Sequence, residues 1–127
     1  MTAPSDRRRI LLIEDDESVR KLLERALSNA YTVESASDGL SALRRLASAP
    51  TPDLVICDIM MPGVDGLTVA RRMRSDARTH ATPIIFLTAR SAPRDLIAGI
   101  QAGARHYLTK PFKLDDLLQK VRKVLGG

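Results

Sequence analysis

Asp53-Leu54-Val55-Ile56-Cys57-Asp58 is an apolar run that ends in a carboxylate and is followed by Met61-Pro62-Gly63. Four apolar residues bounded by turn signals predict a fully buried strand, with Asp58 at its carboxyl end. A carboxylate at the edge of a core costs free energy unless something pairs with it. Candidate partners recur along the chain. Ile10-Leu11-Leu12-Ile13 runs into Glu14-Asp15, Ile84-Ile85-Phe86-Leu87 into Thr88, and Arg105–Thr109 into Lys110. Three carboxylates brought together repel, and one takes up a proton unless a cation resolves the conflict. Mg2+ suits such a set, because it prefers oxygen ligands and is usually held by one or two carboxylates plus phosphate oxygens. Lys110 adds a point charge for a phosphate or carboxylate oxygen, and Thr88 a hydroxyl donor. Charge neutralisation around one carboxylate is what phosphoryl transfer requires, with Asp58 as a nucleophile that forms an acyl phosphate.

The elements that must position these residues are legible from periodicity. Val19, Leu22, Leu23, Ala26 and Leu27 form one helical stripe, closed near Ser28-Asn29. Tyr31–Ala36 reads as a short strand. A second helix starts at Asp38-Gly39 and carries Leu40, Leu43, Leu46 and Ala47. Leu67, Ala70 and Met73 mark a third, with Arg71, Arg72 and Arg74 expected on its wet side. A polar loop over Ser75–Thr82 leads to the Ile84 strand. A fourth helix is predicted over Asp95–Ala102. A fifth carries Leu114, Leu117, Leu118, Val121 and Leu125, with Gly126 past its end. Five β–α units in succession predict a parallel sheet with helices on both faces. In such a sheet, ligands bind beyond the carboxyl ends of the strands, at the topological switch point. Glu14, Asp15, Asp58, Thr88 and Lys110 all fall at those ends.

Taken singly, each residue has a plainer explanation. An Asp at a strand end is commonly a helix cap, and Glu14–Glu17 resembles the acidic start of a helix. Thr88 is a β-former and Lys110 an ordinary surface lysine. Their joint placement at one end of separate parallel strands favours the chemical reading.

Composition bounds the rest. The 127 residues predict one domain, spanning 1–127 with a core of about 8–125. The longest apolar runs are too short to span a membrane, the start lacks a secretory h-region, and the single cysteine, Cys57, excludes an internal disulfide. A cytoplasmic location is expected. The net charge is +5, yet the chain has only two Tyr, two Phe and no Trp. With so few stacking groups, nucleic-acid binding is not expected of this domain alone.

Ile10–Asp15, Asp53–Asp58 with Met61-Pro62-Gly63-Val64-Asp65-Gly66, Pro83–Ala89 and Gly103–Phe112 resemble the signature segments of the receiver domain of two-component response regulators, including the single-domain chemotaxis type. The resemblance covers about residues 8–125. It implies a flavodoxin-like, five-stranded parallel sheet in the order 2-1-3-4-5, with five helices on both faces. It implies that Asp58 is the phosphoacceptor, and that Asp15, Asp58 and the backbone carbonyl of Met60 ligate Mg2+, with Glu14 acting mostly through a metal-bound water or else ligating directly. Lys110 would contact the phosphoryl group across a cis bond to Pro111. Thr88 and Tyr107 would form a switch read out on the fourth helix, fifth strand and fifth helix.

The partners implied are a sensor histidine kinase or histidine phosphotransfer protein and a downstream protein or output domain, with a phosphorylation-dependent homodimer as one option. The activity implied is self-catalysed phosphorylation of Asp58 with slow autodephosphorylation, not enzymatic turnover. Slow decay is expected because Met60 and Arg90 are long side chains at positions that flank the path of the hydrolytic water in the family. Two other readings compete. One is a phosphorylation-independent interaction module on the same fold. The other is a Mg2+-dependent phosphohydrolase, disfavoured because Met60 stands where such enzymes commonly carry a second Asp. Arg105-His106 departs from the polar or acidic pair common before the switch tyrosine.

Overall fold

A computed structural model describes residues 7–89, 101 and 103–126. Five strands, β1 (Arg9–Ile13), β2 (Thr32–Ala36), β3 (Leu54–Asp58), β4 (Ile84–Thr88) and β5 (Ala104–Thr109), form one sheet in the order β2-β1-β3-β4-β5. All neighbouring pairs are parallel. This is the predicted flavodoxin-like order. Helices α1 (Glu17–Leu27), α2 (Gly39–Leu46) and α3 (Gly66–Arg74) and a C-terminal helix (Leu114–Leu125) flank it. The helix predicted over Asp95–Ala102 lies outside the described residues, as does Arg90.

The central strands are buried on both faces, so their two side-chain sets feed two cores. Leu11, Ile13, Val55, Cys57, Ile84 and Phe86 pack with Ala42 and Leu46 of α2 and Val69, Ala70 and Met73 of α3. Ile10, Leu12, Leu54, Ile56, Ile85 and Leu87 pack with Leu23 and Leu27 of α1 and Leu117, Val121 and Leu125 of the C-terminal helix. Each fully buried Leu, Ile or Phe stabilises the fold by roughly 1.5–3 kcal/mol. This double burial explains the continuous, non-alternating apolar runs in the sequence.

Aspartates begin three of the helices. Asp16 accepts from the Val19 N–H, Asp38 from the Ser41 N–H and Asp65 from the Thr68 N–H. Each satisfies an N–H that the helix leaves unpaired. The C-terminal helix ends at Gly126 with φ 70°, a left-handed cap.

Between β4 and β5 the register slips. Ile84 pairs with Ala104, but Ile85 pairs with His106, so Arg105 is the extra residue of a bulge. The slip brings Tyr107 opposite Phe86, and paired residues of parallel strands point to the same face. Without it, Tyr107 would face the opposite core.

Candidate functional site

Register explains why the strand-end groups meet. Ile13 pairs with Cys57, so the next residues, Glu14 and Asp58, lie level at the ends of β1 and β3. Both continue the alternation of Leu12 and Ile56 and leave the sheet on the same side. Lys110, one residue beyond β5, continues the alternation of Leu108. Its Nζ lies 2.6 Å from Glu14 Oε1 and 3.2 Å from Asp58 Oδ2, donating to both. The Lys110 backbone N–H donates to the Thr88 carbonyl at 2.6 Å, which holds the residue from behind; its bond to Pro111 is cis.

The carboxylates are unequally exposed. Glu14 is 0% exposed, Asp58 is 4% exposed, and Asp15 is exposed. One oxygen from each of the three lies within 4.8 Å of the others. The second oxygen of Glu14 accepts from the Asp16 N–H at 3.1 Å, and Oδ1 of Asp58 from the Met60 N–H at 3.1 Å. Burial pushes the Glu14 carboxyl up to about 7, and the neighbouring Asp58 charge adds to the rise, while the hydrogen bond from Lys110 works against both. Burial of Lys110 favours its neutral form, but the hydrogen bond to Glu14 and the charges of Asp58 and Glu14 outweigh this, and its pKa is raised. Lys110 is therefore an ammonium shared between two carboxylates. Cys57, next to Asp58, is buried, and burial holds its thiol protonated.

Thr88 ends β4, 1% exposed, one residue beyond the partner of Asp58. Tyr107 is half-buried against the core under α2 and α3. Thr88 continues the Phe86 side of β4, and Tyr107 lies opposite Phe86, so both belong to one face of the sheet. Met60, two residues past Asp58, is 52% exposed.

Three positioning features are hidden in the sequence. Arg20, on α1, donates from Nη1 to the Glu14 backbone carbonyl at 2.9 Å and so fixes the loop that carries the acidic pair. Gly66 lies against the end of β3, where an added Cβ would come 2.3 Å from the Asp58 carbonyl oxygen. Arg74 is not on the wet side of α3 as expected. It is half-buried and donates to the Thr79, His80, Thr82 and Gly103 carbonyls.

Residues 10–122 match the response regulator receiver domain family. The response regulator MprA of Mycobacterium ulcerans is 48% identical over 118 residues, which is 92% of this chain and 50% of that protein. The chain thus spans about half the length of the curated relatives it matches. Chemotaxis protein CheY4 of Vibrio cholerae is similar at TM-score 0.86 and 31% identity, over 93% of this chain and 98% of that one. Response regulator TrrA of Thermotoga maritima, solved in complex with Mg2+ and BeF, is similar at TM-score 0.80 and 38% identity, over 92% and 98% of the two chains. The family match takes in every residue gathered around Asp58, and the chain is a member of the response regulator receiver domain family.

Proposed function

We propose that this receiver accepts a phosphoryl group on Asp58 from a phosphohistidine and relays the change through Thr88 and Tyr107. The observation that carries the reading is Lys110 Nζ, held within hydrogen-bond distance of both Asp58 and Glu14 at the mouth of the sheet. The donor set fits a hard divalent cation. Three carboxylates lie within reach of one ion, and the raised pKa of Glu14 reports the unrelieved cost of burying negative charge there. Asp15 and Asp58, with the Met60 carbonyl, would hold Mg2+ directly, and Glu14 through water. When bound, Mg2+ would neutralise the carboxylates and the oxygens of the transferring group.

The chain's own residues do the rest. Asp58 attacks phosphorus as the P–N bond of the donor breaks. The imidazole keeps that electron pair and gains a proton from solvent. Lys110 shifts from sharing its charge between two carboxylates to holding a phosphoryl oxygen. The Thr88 hydroxyl turns toward the same group, and Tyr107 moves into the space released. This is a two-state element biased by one added charge. A groove of about 430 Å3 lined by Val19, Leu22, Leu23, Phe112 and Leu114 borders Lys110 and offers an apolar seat for the histidine-bearing partner. The domain turns over no external substrate beyond its own phosphorylation and slow dephosphorylation.

A Mg2+-dependent rise in thermal stability on adding beryllium fluoride is the expected signature. No response, with binding to partners retained, would favour a phosphorylation-independent interaction module.

A further inference from the structure

We infer that the end of the molecule opposite Asp58 is a cationic surface that lies against the phosphate backbone of duplex nucleic acid. All strands run one way and the helices return, so helix ends and strand starts share one rim. Contacts across that rim tie it together. Arg7 Nη2 donates to the Asn29 carbonyl at 2.7 Å, Arg78 Nη1 to the Ala47 carbonyl at 2.7 Å, and Arg74 Nη2 to the Gly103 carbonyl at 3.0 Å.

Charge is sorted between the two ends. The acidic cluster, the three capping aspartates and the acidic first turns of α1 and the C-terminal helix lie at the Asp58 end. The last turn of every described helix is basic and lies at the rim. One cation per helix end is accounted for by the helix dipole, and α2, α3 and the C-terminal helix each carry more than one. Arg25, Arg44, Arg71, Arg72, Arg105 and Arg122 are exposed and form no ion pair or side-chain hydrogen bond among the described residues. Nearby carboxylates are engaged elsewhere. Asp53 accepts from the Arg9 N–H and Asp76 from the Arg78 N–H.

The partner's chemistry follows from what surrounds the arginines. Guanidinium forks match phosphate oxygens. Among the described residues the exposed large hydrophobics, Leu22, Leu40 and Met60, lie on α1, at the start of α2 and beside Asp58, and the cleft of about 460 Å3 at the rim mixes Leu43, Leu46 and Met73 with Arg72 and Asp76, so the described part of the rim offers no exposed apolar anchor for a membrane. Tyr31, Tyr107, Phe86 and Phe112 all pack on the cores, which leaves no platform for stacking unpaired bases. A rigid duplex read through its backbone needs none of these. The net positive charge of the chain thus has a place, and the scarcity of aromatic residues does not oppose contact made through the phosphate backbone.

The test is fluorescence anisotropy of the full chain with a labelled DNA duplex of arbitrary sequence. If most of the six arginines engage, log K should fall with log salt at a slope of about −4 to −5, a loss of several hundred-fold or more between about 50 and 200 mM. Arg44→Glu/Arg71→Glu/Arg72→Glu should weaken binding more than about tenfold, and Lys21→Glu/Lys113→Glu, away from the rim, less than about threefold. Far-UV circular dichroism checks the fold, and Arg71→Gln/Arg72→Gln replaces the triple variant should it fail to fold. Absence of binding at low salt, equal losses in both sets, or tighter binding to polyglutamate or phosphatidylserine vesicles would overturn the proposal.

Discussion

Glu14 concentrates the electrostatic tension of the site. Its carboxyl titrates near 7, against an ordinary value of 4.5, because burial penalises its charge. Between those values the unfolded chain binds fewer protons than the folded one, so stability must fall as pH rises from about 4.5 to about 7. Metal-free protein should therefore show a lower urea midpoint at pH 8 than at pH 5, with MgCl2 recovering much of the loss. Glu14→Gln should flatten the dependence; an unchanged slope in that variant would assign it to other groups. Met60 is exposed next to the acceptor, and Met60→Asn should speed decay of the phosphorylated protein severalfold. The carboxylates and Thr88 were legible because they follow apolar runs, and Lys110 because it follows a fifth, less apolar strand. Arg20 was not, since an arginine on a helical face carries no sign that its guanidinium will reach back to the Glu14 carbonyl.

At the scale of elements, the site depends on how α3 meets β3. An alanine Cβ at Gly66 would meet the backbone of Asp58 and Ile59, which cannot yield as a flexible side chain can. Gly66→Ala should cost about 1–3 kcal/mol in urea unfolding and weaken Mg2+ binding with it. Arg74 joins the loop after α3 to Gly103, just before β5, and Arg74→Ala leaves several carbonyls without their donor. A loss of about 2–3 kcal/mol is expected from equilibrium unfolding. Asp65→Ala removes only a cap and should cost about 1 kcal/mol. The strands and the three described N-terminal helices were readable from periodicity. The bulge at Arg105 was not, because it depends on how β5 pairs with β4 rather than on local propensity. Yet the bulge decides that Tyr107 shares the sheet face of Thr88.

Across the whole molecule, parallel strands sort chemistry to one end and leave the other to cations. The sorting follows from topology, since the ends of the strands and the starts of the helices must coincide. Sequence order alone conceals it: Lys110 and Glu14 are 96 residues apart in the chain, yet their side chains meet at 2.6 Å. On the function proposed above, this end serves the phosphorylation of Asp58. Intact mass after incubation with acetyl phosphate and Mg2+ tests it most directly. The chain should gain one phosphoryl group that is lost on chelating the metal beforehand and absent from Asp58→Asn. A gain of the same size in Asp58→Asn would contradict the assignment.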